Sequence, residues 1–79
     1  METGITLSIV VSNKFGVLCR VAGLFSKRGY NIDSLHVNPL AEDDNFSRII
    51  LTSHCTEYTK EQMIKQISKL YDVKEVKLI

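Results

Sequence analysis

Apolar and polar residues alternate along several segments of the chain, a pattern typical of β-strands that bury one face. The predicted strands cover residues 5–11, 31–40, 46–53 and 73–79. In the first strand one face is apolar throughout: Ile5, Leu7, Ile9 and Val11. Leu35 and Val37 are expected to point inward from the second strand, which ends at Pro39 because proline cannot donate to the hydrogen-bond ladder. Val10 and Ile50 are expected on the opposite face of the sheet.

Two other segments carry apolar residues at helical spacing. The first covers residues 16–28 and is expected to stop at Gly29. Its apolar stripe consists of Leu18, Val21, Ala22 and Phe25. Gly23 lies inside this helix, where glycine costs about 1 kcal/mol relative to alanine, so we expect it to allow close approach of a neighbouring backbone. The second helix is predicted to start with a capping box formed by Thr59 and Gln62. Its apolar face consists of Met63, Ile64, Ile67, Leu70 and Tyr71.

The predicted elements follow the order β-α-β-β-α-β, as two similar β-α-β halves. In so short a chain this order most simply makes one four-stranded antiparallel sheet with both helices on one face. The fold class is therefore α+β with a ferredoxin-like architecture. With 79 residues there is room for one domain, which we expect to cover residues 1–79.

The composition is that of an ordinary soluble globular protein, with 44% hydrophobic and 24% charged residues. A net charge of +1 favours neither a nucleic-acid partner nor an acidic membrane surface. No apolar run approaches the roughly 20 residues that span a bilayer, and residues 1–4 do not resemble a signal peptide. Cys19 and Cys55 imply no disulfide framework, so a cytoplasmic location is expected.

The sequence argues against three other functional classes. His36 and His54 are the only histidines, and no nucleophile has a recognisable catalytic context, so we expect no catalytic residues. His54 and Cys55 are adjacent, and adjacent strand residues point to opposite faces, so we expect neither a metal site nor a cofactor. RNA-binding modules of the same topology stack bases on strand aromatics, which the first strand lacks.

A small zwitterion suits the region where the first strand leads into the first helix. Backbone N–H groups and the positive dipole end of a helix favour a carboxylate near Gly16. The side-chain oxygens of Asn13 and Asn31 can accept hydrogen bonds from an ammonium group. Helix capping by Asn13 and turns at Gly16 and Asn31 would account for the same residues without any ligand. Residue chemistry alone leaves both interpretations open.

The chain closely resembles the ACT domain of acetohydroxyacid (acetolactate) synthase regulatory small subunits. The first half carries the most specific similarity, in residues 13–18, 20–25, 28–32 and 34–35. The similarity continues through residues 47–48, 66–70 and 72–73. It therefore extends over essentially the whole chain.

The resemblance implies a non-catalytic subunit of branched-chain amino acid biosynthesis. Such subunits bind the large, thiamine-diphosphate-dependent catalytic subunit, raise its activity and confer feedback inhibition, typically by valine. Many members carry a further C-terminal domain, whereas this chain ends at Ile79, so it resembles the short members or a shortened form. A stand-alone ACT-type amino-acid sensor that acts on a different enzyme is the alternative.

The resemblance also implies where the effector binds and how the chain associates. ACT domains of the family pair through their sheets and hold the effector at the interface, so a homodimer or a higher homo-oligomer is expected. The small core and an exposed edge strand favour the same expectation. By position, the effector-binding residues are Asn13, Gly16, Val17, Leu18, Asn31 and Ile32.

Overall fold

The computed structural model describes residues 2–14 and 16–79, so Phe15, in the predicted loop before the first helix, lies outside the described residues. The elements are β1 (Thr3–Ser12), α1 (Val17–Lys27), β2 (Ser34–Pro39), β3 (Phe46–Cys55), α2 (Glu57–Ser68) and β4 (Val73–Leu78). This order confirms the predicted β-α-β-β-α-β sequence of elements and the α+β, ferredoxin-like fold class.

The four strands form one antiparallel sheet in the order β2-β3-β1-β4, with β2 and β4 at its edges. Leu7 lies opposite Leu51 and Ile9 lies opposite Ile49, so the apolar face of β1 continues onto β3. Since β1 and β2 both run antiparallel to β3, they run in the same direction. The starts of β1 and β2 therefore lie at one end of the sheet and their ends lie at the other.

Both helices pack on the same face of this sheet. α1 contributes Val17, Val21 and Phe25 to the core, and α2 contributes Met63 and Ile67. Each of these side chains is at most 2% exposed. The spacing of four residues keeps each set on one side of its helix, which buries that side against the inward-facing strand residues.

The buried stripe of α1 begins one residue earlier than predicted. Val17 starts it, whereas Leu18 is 41% exposed, because residues spaced by four from Phe25 backwards fall on Val21 and Val17. Gly23 is exposed, and a Cβ atom built on it would meet no described heavy atom within 4 Å. The expectation that Gly23 admits a neighbouring backbone is therefore wrong within this chain.

Three predicted boundaries also differ from the structure. β2 begins at Ser34, three residues later than predicted, because the segment before it forms a loop. Thr56 caps α2 instead of Thr59, since the Thr59 N–H donates to the Thr56 side-chain oxygen at 3.2 Å. Tyr71 lies beyond the end of α2 and is 94% exposed, so it does not belong to the apolar face of the helix.

The sheet face away from the helices is less open than the alternation predicted. Val10 lies on this face but is only 5% exposed, flanked by Arg48 on β3 and Glu75 on β4. Ile50 is partly exposed there. Val37 shares the core-facing side of the sheet but is 39% exposed, as expected for an edge strand. No helix in the described part of the chain is both long and apolar enough to cross a membrane.

Candidate functional site

Gly16 makes the turn that starts α1. Its φ of 87° and ψ of −10° lie in the left-handed region, which glycine adopts without the steric cost that a Cβ atom brings. Gly16 makes no side-chain cap hydrogen bond, because glycine has no side chain to accept from the first-turn N–H groups. The Val17 N–H donates to the Lys14 carbonyl at 3.3 Å, whereas the N–H groups of Gly16 and Leu18 have no acceptor among the described residues. The first turn carries no acidic residue, so it favours an anion.

Asn13 lies beside this turn and is held by the connection between β2 and β3. Its backbone N–H donates to the Asn45 carbonyl at 2.8 Å, and its side-chain Nδ2 donates to the Asp44 carbonyl at 3.1 Å. The amide oxygen of Asn13 receives no hydrogen bond from the described residues. The amide donor is therefore engaged within the protein, and the amide oxygen remains available to accept from a ligand.

An ion pair fixes α1 at the same end of the molecule. The guanidinium of Arg20 contacts the Asp72 carboxylate in the turn before β4. The Asp72 carbonyl also accepts from the Ser12 N–H at 2.9 Å. The end of β1, the first turns of α1 and the start of β4 are thus linked through Asp72.

Asn31 lies in the loop between α1 and β2, and the end of β3 holds it. Its carbonyl accepts a hydrogen bond from the Ser53 hydroxyl, and its side-chain Nδ2 donates to Asp33 Oδ1 at 2.6 Å. The Asp33 N–H donates to the Thr52 carbonyl at 2.8 Å, and the Asp33 carboxylate contacts Nδ1 of His54. A cavity of about 250 Å³ lies beside this loop. Its lining includes Arg28, Gly29, Tyr30, Asn31, His54 and Cys55.

The predicted site residues form two separate groups in one chain. Asn13, Gly16 and Leu18 lie at the end of β1, whereas Asn31 lies at the opposite end of the sheet. An α-helix rises about 1.5 Å per residue, so the 11 residues of α1 separate the groups by roughly 16 Å. One amino acid cannot contact both groups of the same chain.

Two of the predicted residues face the core. Val17 is 2% exposed, so only its backbone is accessible to a ligand. Ile32 is partly buried against the hydrophobic core. Among the six predicted residues, Leu18 therefore offers the most accessible apolar side chain at the Gly16 end.

A further cavity, of about 480 Å³, lies on the sheet face away from the helices and contains none of the predicted site residues. Its lining includes Val10, Leu40, Phe46, Arg48, Lys74 and Glu75. The Lys74 Nζ lies 4.3 Å from the centre of the Phe46 ring, a cation–π contact. Sequence reasoning missed this cavity because the β2–β3 connection, remote in sequence from β4, forms one of its walls.

The two cysteines differ in burial. Burial raises the pKa of the Cys55 thiol, and Glu2 and Glu57 add to the effect, so Cys55 holds little nucleophilic thiolate at neutral pH. Cys19 is exposed, and both cysteines are free thiols. Among residues 2–14 and 16–79, no three histidine, cysteine or acidic side chains are grouped so that they could hold a metal ion.

Comparison with solved structures defines the class of fold. The chain superposes on the ACT domain of GTP pyrophosphokinase from Chlorobium tepidum with a TM-score of 0.82 at 20% identity, covering 100% of both chains. At that identity the likeness shows the fold alone. The chain also superposes on the acetolactate synthase small subunit from Thermotoga maritima with a TM-score of 0.88 at 37% identity, covering 96% of this chain and 47% of that one.

Sequence comparison defines the family. Residues 7–75 match the model described as the AHAS small subunit-like ACT domain, and the chain belongs to that family, which confirms the resemblance seen in the sequence. It is 45% identical over 71 residues to a probable acetolactate synthase small subunit from Archaeoglobus fulgidus, covering 90% of this chain and 44% of the relative. It is 47% identical over 70 residues to the acetolactate synthase isozyme 3 small subunit of Escherichia coli, covering 89% of this chain and 42% of the relative. The chain spans less than half the length of these relatives.

Replacing Gly16 and Gly23 separately by alanine should change stability in opposite directions. Gly16→Ala forces a Cβ atom into the left-handed region and should lower the free energy of unfolding by about 1–2 kcal/mol. Gly23→Ala lies in open space inside α1 and should raise that free energy by about 0.5–1 kcal/mol. Urea unfolding at one fixed protein concentration measures both. Equal stability of Gly16→Ala and wild type would contradict the described turn.

Proposed function

We propose that the chain is the regulatory, non-catalytic small subunit of a thiamine-diphosphate-dependent acetolactate synthase in branched-chain amino acid biosynthesis, with residues 1–79 acting as a single ACT domain. It binds the catalytic large subunit, activates it and mediates feedback inhibition by a branched-chain amino acid such as valine. The observation that carries this proposal is the family match over residues 7–75. The small-subunit relatives from Archaeoglobus fulgidus and Escherichia coli support the same assignment.

Reconstitution with a catalytic large subunit from the same organism tests this proposal. We expect the chain alone to form no acetolactate from pyruvate, the mixture to be several-fold more active than the large subunit alone, and valine to reduce that gain. Activity is measured as acetolactate formed per minute at a saturating amount of the chain. An unchanged large-subunit activity, or acetolactate formation by the chain alone, would reject the regulatory assignment.

The effector site is proposed to lie between two copies of the chain. Its two groups of residues lie at opposite ends of one chain, so a single copy has an incomplete site. β2 is an edge strand with exposed backbone groups on its outer side, which favours pairing with an identical edge. If two β2 strands pair antiparallel about a two-fold axis, the start of one β2 lies beside the end of the other. Asn31 of a second copy then lies at the same end as Gly16.

The geometry supports one arrangement of the ligand. The carboxylate of the amino acid accepts from the N–H groups of Gly16 and Leu18, at the positive end of α1. The ammonium group donates to the amide oxygens of Asn13 and of Asn31 from the second copy, since both amides have their Nδ2 groups engaged within the protein. The isopropyl group of valine packs on the exposed side chain of Leu18.

A charge on the outer edge of β2 should dissociate the proposed dimer. The wild-type chain is expected to sediment at micromolar concentration as a dimer or larger, with at least twice the 9.0 kDa mass of one chain. Val37→Lys places a charged side chain on this edge and should shift the species to the monomer. Leu78→Lys, at a similarly exposed position on the other edge strand, is the matched control and should remain a dimer. A wild-type species of 9.0 kDa would exclude this assembly.

Two substitutions at the proposed site should weaken valine binding, measured by calorimetry on the whole chain. Asn31→Ala removes one of the two acceptors of the ammonium group, which should cost about 1–3 kcal/mol, or roughly 5- to 150-fold in affinity. Gly16→Asp adds a negative charge and a strained side chain beside the carboxylate and should abolish binding. Lys65→Ala, at an exposed position on α2 and outside β2, is the control and should bind like wild type. Unchanged affinity in both site variants would place the site elsewhere.

A further inference from the structure

The carboxylate of Asp33 connects two side chains that are far apart in sequence. Its Oδ1 accepts from Nδ2 of Asn31 at 2.6 Å, and its Oδ2 contacts Nδ1 of His54. Asn31 and Asp33 precede β2, whereas His54 is the second-last residue of β3. Both carboxylate oxygens are therefore engaged, one by Asn31, a proposed effector-binding residue, and the other by His54.

The hydrogen bond to Asp33 determines whether the Asn31 amide presents its oxygen or its NH₂ group to a ligand. With Nδ2 turned toward the carboxylate, the amide oxygen is the group left to accept from a ligand. Rotating the amide by half a turn would bring its oxygen against the Asp33 carboxylate, where two acceptors repel each other, and would present an NH₂ group to the ligand. An NH₂ group cannot accept from an ammonium, so only the observed orientation suits an amino acid.

We propose that His54 is a positioning residue of the amino-acid site, acting through Asp33 to keep the Asn31 amide oxygen available for the ligand's ammonium group. The inference rests on the proposed function of the Asn31 loop as part of an amino-acid site. His54 donates from Nδ1 to Asp33 and limits the rotation of that carboxylate. It does not itself touch the ligand.

The surrounding contacts indicate that the His54 side chain is not needed to hold the fold of the loop. The loop backbone is held independently of the His54 ring, by the Ser53 hydroxyl on the Asn31 carbonyl and by the Asp33 N–H on the Thr52 carbonyl. The His54 side chain is 62% exposed, so its removal opens no cavity in the core. Its loss should therefore affect the Asp33 and Asn31 side chains while the loop backbone and the sheet remain in place.

The space around the imidazole also fits this role. His54 pairs with Gly4 across the β1–β3 ladder, and a Cβ atom at Gly4 would lie 3.5 Å from Nε2 of the ring. Two further charged residues, the acidic Glu2 and the basic Arg28, line the cavity beside His54. Asp33 is the residue that contacts the ring nitrogen.

Four variants of the whole chain test the inference: His54→Ala, His54→Asn, Asn31→Ala and the double variant His54→Ala/Asn31→Ala. Loss of one hydrogen bond should weaken valine binding by about two- to tenfold in His54→Ala. His54→Asn, whose amide nitrogen replaces Nδ1 as the donor, should stay within about twofold of wild type. In the Asn31→Ala background, His54→Ala should cause no further loss, because its effect passes through the Asn31 amide.

A second readout needs no ligand. The side-chain amide signals of Asn31 in a ¹H–¹⁵N spectrum should move in His54→Ala and return toward their wild-type positions in His54→Asn. Equal losses of affinity from His54→Ala in both backgrounds, or unmoved Asn31 amide signals, would overturn the inference while leaving the effector site intact. Valine binding by wild type with unchanged affinity in His54→Ala would overturn it as well. Absence of valine binding in wild type would overturn both the effector site and this inference.

Discussion

The length and direction of α1 constrain where a shared ligand can bind. The helix starts at the end of β1 and returns the chain over 11 residues to the opposite end of the sheet. At about 1.5 Å per residue, this run is longer than a small amino acid. Gly16 and Asn31 can therefore act on one ligand only if they come from different copies. For this reason the edge position of β2 matters to the proposed site, since the direction of β2 would decide which residues of a second copy come beside Gly16.

The side-chain amides of the two asparagines are oriented in the same sense by different local contacts. Asn13 donates its amide hydrogen to the Asp44 carbonyl, whereas Asn31 donates to the Asp33 carboxylate. In both cases the amide oxygen is the group that remains to accept. Neither side chain is buried, so hydrogen bonds set the orientation where core packing does not. A charged acceptor such as Asp33 makes a stronger hydrogen bond than a carbonyl does, which orients Asn31 more firmly than Asn13.

The sequence was sufficient for the order of the elements because alternation and helical spacing reflect burial directly, as in β1 and α1. It was less reliable where two local patterns compete. Thr56 and Thr59 both suit a helix cap, and only the hydrogen bond from the Thr59 N–H selects Thr56. Of the candidate site, the sequence indicated that Asn13 and Gly16 lie close together, because they are only three residues apart, whereas their role in effector binding stays a prediction. The contact between Asp33 and His54 spans 21 residues and depends on how the loop before β2 meets the end of β3, which no local pattern reports.

The fold by itself does not identify a function, since the ACT domain of GTP pyrophosphokinase adopts it at 20% identity. The sheet fixes the relative directions of the elements, since β1 and β2 run the same way and the helices cover one face. The loops at the two ends supply donors, acceptors and charge. At one end the N–H groups of Gly16 and Leu18 have no acceptor among residues 2–14 and 16–79, and at the other end the Asn31–Asp33–His54 contacts orient an acceptor. Because complementary groups stand at opposite ends of the same chain, two-fold pairing through β2 would create two equivalent sites at once, and each copy would contribute to both.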